Sequence, residues 1–266
     1  MSWFEVFMLS IIQGITEFLP VSSSAHLILA PRIFGWQDQG LAFDVATHFG
    51  TLFAVIIYFR NEILMLLKDW LYSLKAHKNI GESTLAWGII IATIPACIAG
   101  LLFNELIETY LRSPRVIAST TIIFGVVLFA ADRFSGKKNE KNITLYIALL
   151  IGLAQVLSLI PGVSRSGITL SAALLLGFSR VSAARFSFLL SIPIILLASG
   201  YEGLKLVQSA FDVQWDKIIG AIVISFLSGY ACIHLFLKAI SRFSITPFVI
   251  YRLLLGAVLF YLFWSA

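Results

Sequence analysis

Two stretches of this chain carry groups able to do chemistry where hydropathy alone predicts lipid. In the first, Gln13 to His26, the residues Gln13 and Glu17 are four apart and share one helix face. A carboxylate beside an amide oxygen suits a hard cation, Mg²⁺ or Ca²⁺, whose oxygen ligands are shared between protein and phosphate. Beyond Pro20 come Ser22, Ser23 and Ser24, where the next half-helix should begin. Serine is a favoured N-cap. The free amides of such a start, with the positive end of the helix dipole, form an anion site. Ser23 is the candidate nucleophile or phosphate hydrogen-bond donor. His26, in the first turn and expected to face the anion, is the candidate general acid–base or nucleophilic group.

The second stretch, Gly152 to Thr169, centres on Arg165 between Ser164 and Ser166, with Gly162 and Gly167 nearby. Small neighbours let an anion approach, and the planar guanidinium fork matches phosphate oxygens as a lysine could not. A salt bridge to Glu17 is compatible with that role in the empty protein. Asp44, His48 and Arg252 are weaker candidates, for which snorkelling or structural pairing is the expected role.

These groups must be positioned by membrane helices. The chain has 266 residues, 59% hydrophobic and 12% charged, with a mean hydropathy of +0.93, which excludes an ordinary soluble domain. No basic region precedes the first apolar run and no small-residue cleavage site follows it, so that run is expected to stay in the working protein. The net charge of +5 is spread over loops and does not suggest nucleic-acid binding. Cys97 and Cys232 sit in apolar runs without the spacing of a metal site or a disulfide. Six spans are predicted at 41–58, 85–103, 116–131, 186–199, 218–237 and 248–264, with 60–82 as a partly amphipathic loop. Most of the tryptophans, Trp264 among them, flank spans as interfacial anchors.

The two polar stretches match one another. Gly14 corresponds to Gly152, Glu17 to Gln155, and Pro20 with its serines to Pro161 with Ser164 and Ser166; Gly125 and Gly256 extend the match. Backbone opened by a proline inside lipid must be satisfied by protein or by a wet cavity. The expectation is therefore an all-α integral membrane protein with six transmembrane helices and two re-entrant helical hairpins. It forms one domain over 1–266, with repeat halves at about 1–132 and 143–266 joined by a basic cytoplasmic loop, 133–142. Three crossings per half is an odd number, so the halves should be inverted, with both hairpin tips meeting near the midplane. With both termini outside, the inside loops carry Arg60, Lys68, Lys75, Lys78, Arg133, Lys137, Lys138, Lys141, Arg180, Arg185, Lys238 and Arg242. Only Arg32, Arg112, Arg115, Lys205 and Lys217 lie outside, as the positive-inside rule requires.

At these residues the sequence resembles the undecaprenyl-diphosphate phosphatase, or bacitracin-resistance protein, family over essentially the whole chain. The resemblance rests on (Glu/Gln)-x-x-x-Glu followed by Phe-Leu-Pro-Val-Ser-Ser-x-x-His at Gln13–His26, and on Pro-Gly-x-Ser-Arg-Ser-Gly-x-Thr at Pro161–Thr169. It implies a bacterial inner-membrane hydrolase that removes the terminal phosphate of undecaprenyl diphosphate, recycles the cell-wall lipid carrier, requires Mg²⁺ or Ca²⁺, and confers bacitracin resistance by competing for the same lipid. It assigns catalysis or phosphate and metal binding to Gln13, Glu17, Ser23, His26, Ser164, Arg165, Ser166 and Thr169; with the reading of the residues themselves, the candidates are Glu17, Ser23, His26 and Arg165 for catalysis, Ser22, Ser24, Ser164, Ser166, Gly167 and Thr169 for phosphate binding, and Gln13 and Glu17 for metal. The active-site opening is expected on the outer side. The commoner Thr-Gly before the histidine is Ser24-Ala25 here, which keeps the hydroxyl and removes any glycine-only backbone conformation at position 25. His26, Ser23 and an activated water remain alternatives for the attacking group.

Two other readings compete. A secondary transporter or lipid flippase would also use inverted repeats with broken helices. An acid-phosphatase-type lipid phosphatase would need a second histidine with an aspartate after the Ser-Arg pair, where only His234, on an apolar span, is present.

Overall fold

The computed structural model describes residues 1–208 and 214–263. Trp264, expected to end the last span, lies outside the described residues, as do the side chains of Arg32 and Lys205. The described residues form helices joined by short turns: α1 Trp3–Phe18, α2 Ser23–Phe34, α3 Gly40–Tyr58, α4 Arg60–Ala76, α5 Ser83–Leu106, α6 Pro114–Asp132, α7 Leu145–Val156, α8 Arg165–Leu175, α9 Arg180–Gln208, α10 Trp215–Ile240 and α11 Thr246–Phe263. Six of them, α3, α5, α6, α9, α10 and α11, are long and apolar enough to cross a membrane. The helices flanking the two polar stretches are too short for that. At 1.5 Å per residue, the 12 residues of α2 or α7 cover roughly 18 Å of a core about 30 Å thick.

Both breaks follow from local sequence. Pro20 forces the preceding residue out of the helical region, and Leu19 duly sits at φ −72°, ψ 146°, ending α1. α7 runs down through a 3₁₀ turn, Leu157–Leu159, to Pro161 and to Gly162 at φ +91°. Each new half-helix then starts after a serine at positive φ, Ser22 at φ +72° and Ser164 at φ +73°. Side chains rarely adopt that region. Ala25, by contrast, lies inside α2, fully buried.

Residues 60–82 differ from expectation. Instead of a loop, Arg60–Ala76 is a 17-residue helix following α3 after the single residue Phe59. Its alternation of Leu and Met with Lys and Asp obscured a 3.6-residue period in which Leu66 and Ser73 face inward. α9 is also longer than its apolar centre, because Arg180 and Arg185 at its start are neutralised within the protein. Arg180 grips Asp132 of α6 through two bonds, of 2.6 and 3.0 Å. Arg185 lies between Glu62 of α4 and Glu140 of the connecting segment, at 2.6 and 2.7 Å. Burial, foremost, pushes the Glu62 carboxyl above the ordinary carboxylate range although Arg185 opposes it.

α1 lies on α10 and α7 on α5, while α3 meets α9 and α6 meets α11. The matched glycines make these contacts possible: a Cβ on Gly14 would stand 2.8 Å from the Ser225 carbonyl oxygen, and one on Gly152 would stand 2.5 Å from that of Ala92. Leucines and isoleucines such as Leu101, Leu102, Ile98 and Leu227 point outward. Gln13, Thr47, Thr51, Gln155 and Arg252 are buried. Apolar outside and polar inside is the arrangement lipid demands.

Candidate active site

The two breaks meet. Arg165, the first residue of α8, donates from Nη2 to Oε1 of Glu17 on α1 at 2.9 Å and from Nη1 to the Ser187 carbonyl of α9 at 3.0 Å. Oε2 of Glu17 accepts from Ser23 Oγ at 2.9 Å and from Gln13 Nε2 at 3.1 Å. One carboxylate thus joins the last turn of α1, the first residue of α2 and the first residue of α8. The expected salt bridge between Glu17 and Arg165 is present.

Around this knot lies a cavity of about 220 Å³ lined by Glu17, Ser22, Ser23, Ser24, His48, Ser158, Ser164 and Arg165, with Ile194, Ile195 and Ala198 of α9 as an apolar wall. Its chemistry is suited to an anionic headgroup on an apolar stem: hydroxyls and a guanidinium at one side, hydrocarbon at the other. The serines are organised identically at both breaks. Ser22 and Ser24 hydroxyls are 3.2 Å apart, as are those of Ser164 and Ser166. Ser164 also caps α8 by accepting from the Gly167 amide at 3.1 Å, whereas Ser22 makes no such bond. Ser166 donates to the Leu19 carbonyl at 2.8 Å, tying the second break to the first. Thr169 meets Ser187 Oγ at 2.7 Å behind Arg165 and does not line the cavity.

Two histidines sit otherwise than the sequence suggests. His26 is not among the cavity-lining residues. Its Nδ1 is 2.7 Å from the Ser22 carbonyl and its Nε2 is 2.5 Å from the Tyr251 hydroxyl of α11. His48, taken for a structural residue, does line the cavity, with Nε2 3.9 Å from Glu17 Oε2. Asp44 accepts from Gln39 at 2.9 Å and is not among the lining residues. Arg252 is fully buried and does not snorkel; among the described residues it has no ion-pair partner, and its guanidinium donates to main-chain carbonyls. Gln155, the residue the sequence comparison sets against Glu17, turns its amide to the Ala92 carbonyl at 3.3 Å.

Gln13 Oε1 is buried with no hydrogen-bond partner, while Nε2 of the same amide donates to Glu17; Gln13 itself is not among the cavity-lining residues. Among the described residues no group of three or more His, Cys, Asp and Glu could hold a metal ion. This donor set fits an ion that brings ligands with it, as a diphosphate would supply, and not a cage made by protein alone.

This geometry agrees with the comparison to known proteins. Residues 6–258 match the model of the bacitracin resistance protein BacA family. The chain belongs to that family. Among its relatives, an undecaprenyl-diphosphatase of Campylobacter curvus is 58% identical over 97% of this chain and 98% of its own. An undecaprenyl-diphosphatase of Saccharophagus degradans is also 58% identical, and one of Hahella chejuensis 56%, each over 97% of both chains. Within this BacA-family chain, both motifs that carried the resemblance lie at the breaks, which contact one another.

Proposed function

We propose that this protein hydrolyses undecaprenyl diphosphate to undecaprenyl phosphate and orthophosphate, returning the lipid carrier to cell-wall synthesis. The supporting observation is the Glu17–Ser23–Arg165 constellation, which joins a hydroxyl, a carboxylate able to take its proton, and a guanidinium inside one cavity with an apolar wall. Names carried by relatives as similar as 58% over nearly the whole length point the same way.

In this reading the terminal phosphate enters beside Arg165, with Ser24, Ser164 and the α2 and α8 amides as further donors, and the first isoprenoid unit lies against Ile194, Ile195 and Ala198. Arg165 turns from Glu17 to the phosphate oxygens, which frees the carboxylate to act as a base. Ser23 Oγ attacks phosphorus, its proton passes to Glu17, and the bond to the bridging oxygen breaks, releasing undecaprenyl phosphate. Water then cleaves the phosphoserine to give orthophosphate. Phosphoryl transfer needs positioning and charge stabilisation above all, which is what these donors offer. Ser23 is preferred to His26 as the attacking group because it already bonds to Glu17, whereas both ring nitrogens of His26 are engaged elsewhere. Gln13 Oε1, Glu17 and Ser23 would hold Mg²⁺ or Ca²⁺ together with the diphosphate, and the ion would supply charge neutralisation there.

In this reading the protein sits in the bacterial inner membrane with both short-helix pairs re-entrant, the halves inverted, and termini and cavity opening on the outer side. The packing of α1 on α10 and α7 on α5, together with the charge bias of the loops, supports this topology. Bacitracin resistance then follows from competition for the same lipid. The decisive experiment is phosphate release from undecaprenyl diphosphate by purified protein in detergent, where no gradient exists. Release supports the hydrolase. Its absence, with gradient-dependent lipid movement in sealed vesicles, would support a transporter.

A further inference from the structure

α11 contributes nothing to the cavity wall, yet two consecutive residues of it reach both breaks. Arg252 is fully buried, and no carboxylate lies in ion-pair range among the described residues. Its Nη1 donates to the Pro20 carbonyl at 3.2 Å and to the Val163 carbonyl at 3.0 Å; Nη2 donates to the Gly162 carbonyl at 2.8 Å and Nε to the Thr121 carbonyl of α6 at 3.1 Å. Opening a helix leaves carbonyls without partners, and in a dry interior each is costly. One guanidinium satisfies such carbonyls from the two halves at once, so it fixes the distance between them.

Tyr251 acts on the next carbonyl. A carbonyl only accepts, so His26 Nδ1 carries the proton donated to Ser22; with the ring neutral, Nε2 accepts from the Tyr251 hydroxyl. Tyr251 thereby sets the tautomer in which His26 can hold the Ser22 carbonyl. That carbonyl belongs to the residue at φ +72° immediately before Ser23. The charged group facing His26 from α11 is Arg252, and Tyr251 is the titratable one.

We propose that Tyr251 and Arg252 are positioning residues for the reaction: Arg252 directly, and Tyr251 through His26, hold the carbonyls of both breaks so that Ser23 and Arg165 face one phosphate. This rests on the hydrolase reading. It also gives His26 a role that requires no contact with the phosphorus: a link between α11 and the strained start of α2.

The test compares Tyr251→Phe and Arg252→Lys with the wild-type protein in detergent. The readouts are kcat and KM for phosphate release, thermal midpoint, and the rate at which diethyl pyrocarbonate modifies His26, followed by peptide mass spectrometry. A lysine keeps the charge but cannot reproduce a planar fork aimed at carbonyls on separate segments. Expected are a kcat lower by about ten- to hundredfold at nearly unchanged KM in both variants. Tyr251→Phe should also keep the wild-type melting point while its His26, with Nε2 uncovered, is modified several-fold faster. Wild-type kcat in both variants, or losses that follow the folded fraction, would overturn the proposal. Modification of His26 needs no turnover, so an unchanged rate in Tyr251→Phe refutes the tyrosine contact even if the wild type released no phosphate, an outcome that would count against the hydrolase reading alone.

Discussion

Replacing Arg165 by alanine separates what this residue does for the fold from what it does for the reaction. In the wild type, Glu17 is 7% exposed and Arg165 is its one guanidinium partner among the described residues, at 2.9 Å. Removing one member of a buried pair costs about 3–5 kcal/mol, because the other is left charged and unpaired. Here the lower end applies, since Gln13 and Ser23 still donate to Glu17 and His48 stands 3.9 Å away. Adding Glu17→Gln removes the orphaned charge and should recover most of that roughly 3 kcal/mol. Catalysis should not recover. An arginine on a transferring phosphoryl group contributes on the order of 10³-fold or more, and neither variant has one. The assay is orthophosphate release in detergent beside thermal unfolding of the same samples. Near-wild-type release by the Arg165→Ala protein would refute the assignment of Arg165 to the phosphate, and an unchanged melting point would refute the claim that the pair is buried and coupled.

Ser23→Ala removes the attacking hydroxyl but leaves Gln13 and Arg165 on Glu17, so it should fold normally and lose at least about 10³-fold in kcat; recovery of a phosphorylated Ser23 peptide from rapidly quenched wild-type turnover would support the same step. His48→Gln should cost less than about tenfold, since His48 stands at 3.9 Å, beyond hydrogen-bond reach of Glu17. Gly152→Ala pushes a methyl against the Ala92 backbone at 2.5 Å, and should destabilise by about 1–3 kcal/mol or more, read as a lower melting point. A chelator should suppress phosphate release, reversibly on adding Mg²⁺ or Ca²⁺; full activity in its presence would exclude the ion proposed at Gln13 and Glu17.

Sequence reading reached the breaks because their causes are local. Pro20, Pro161 and the serines interrupt apolar runs, and a carboxylate and a guanidinium inside such runs demand partners. It also located the six long helices, since lipid-facing residues make them apolar almost throughout. It did not reach Arg252. An arginine in a span prompts a search for a carboxylate, and its actual partners are carbonyls at Pro20, Thr121, Gly162 and Val163, which no composition reveals. The two histidines were interchanged for a related reason. Motif membership favours His26, but orientation around a half-helix depends on where its strained first residue points it, and that sends His26 to α11 and leaves His48 at the cavity. α4 was missed because its ion-paired Glu62 and its lysines break the apolar stretch without breaking the helix.

Both new half-helices begin from a serine with positive φ, a backbone state that costs roughly 1–3 kcal/mol wherever glycine is not used. Each is therefore a tensioned joint, kept bent by donors borrowed from distant helices and ready to straighten once those donors slacken. A harsh detergent that loosens α11 should let the joints relax while every helix stays intact. Such a sample would keep its circular dichroism and lose its turnover.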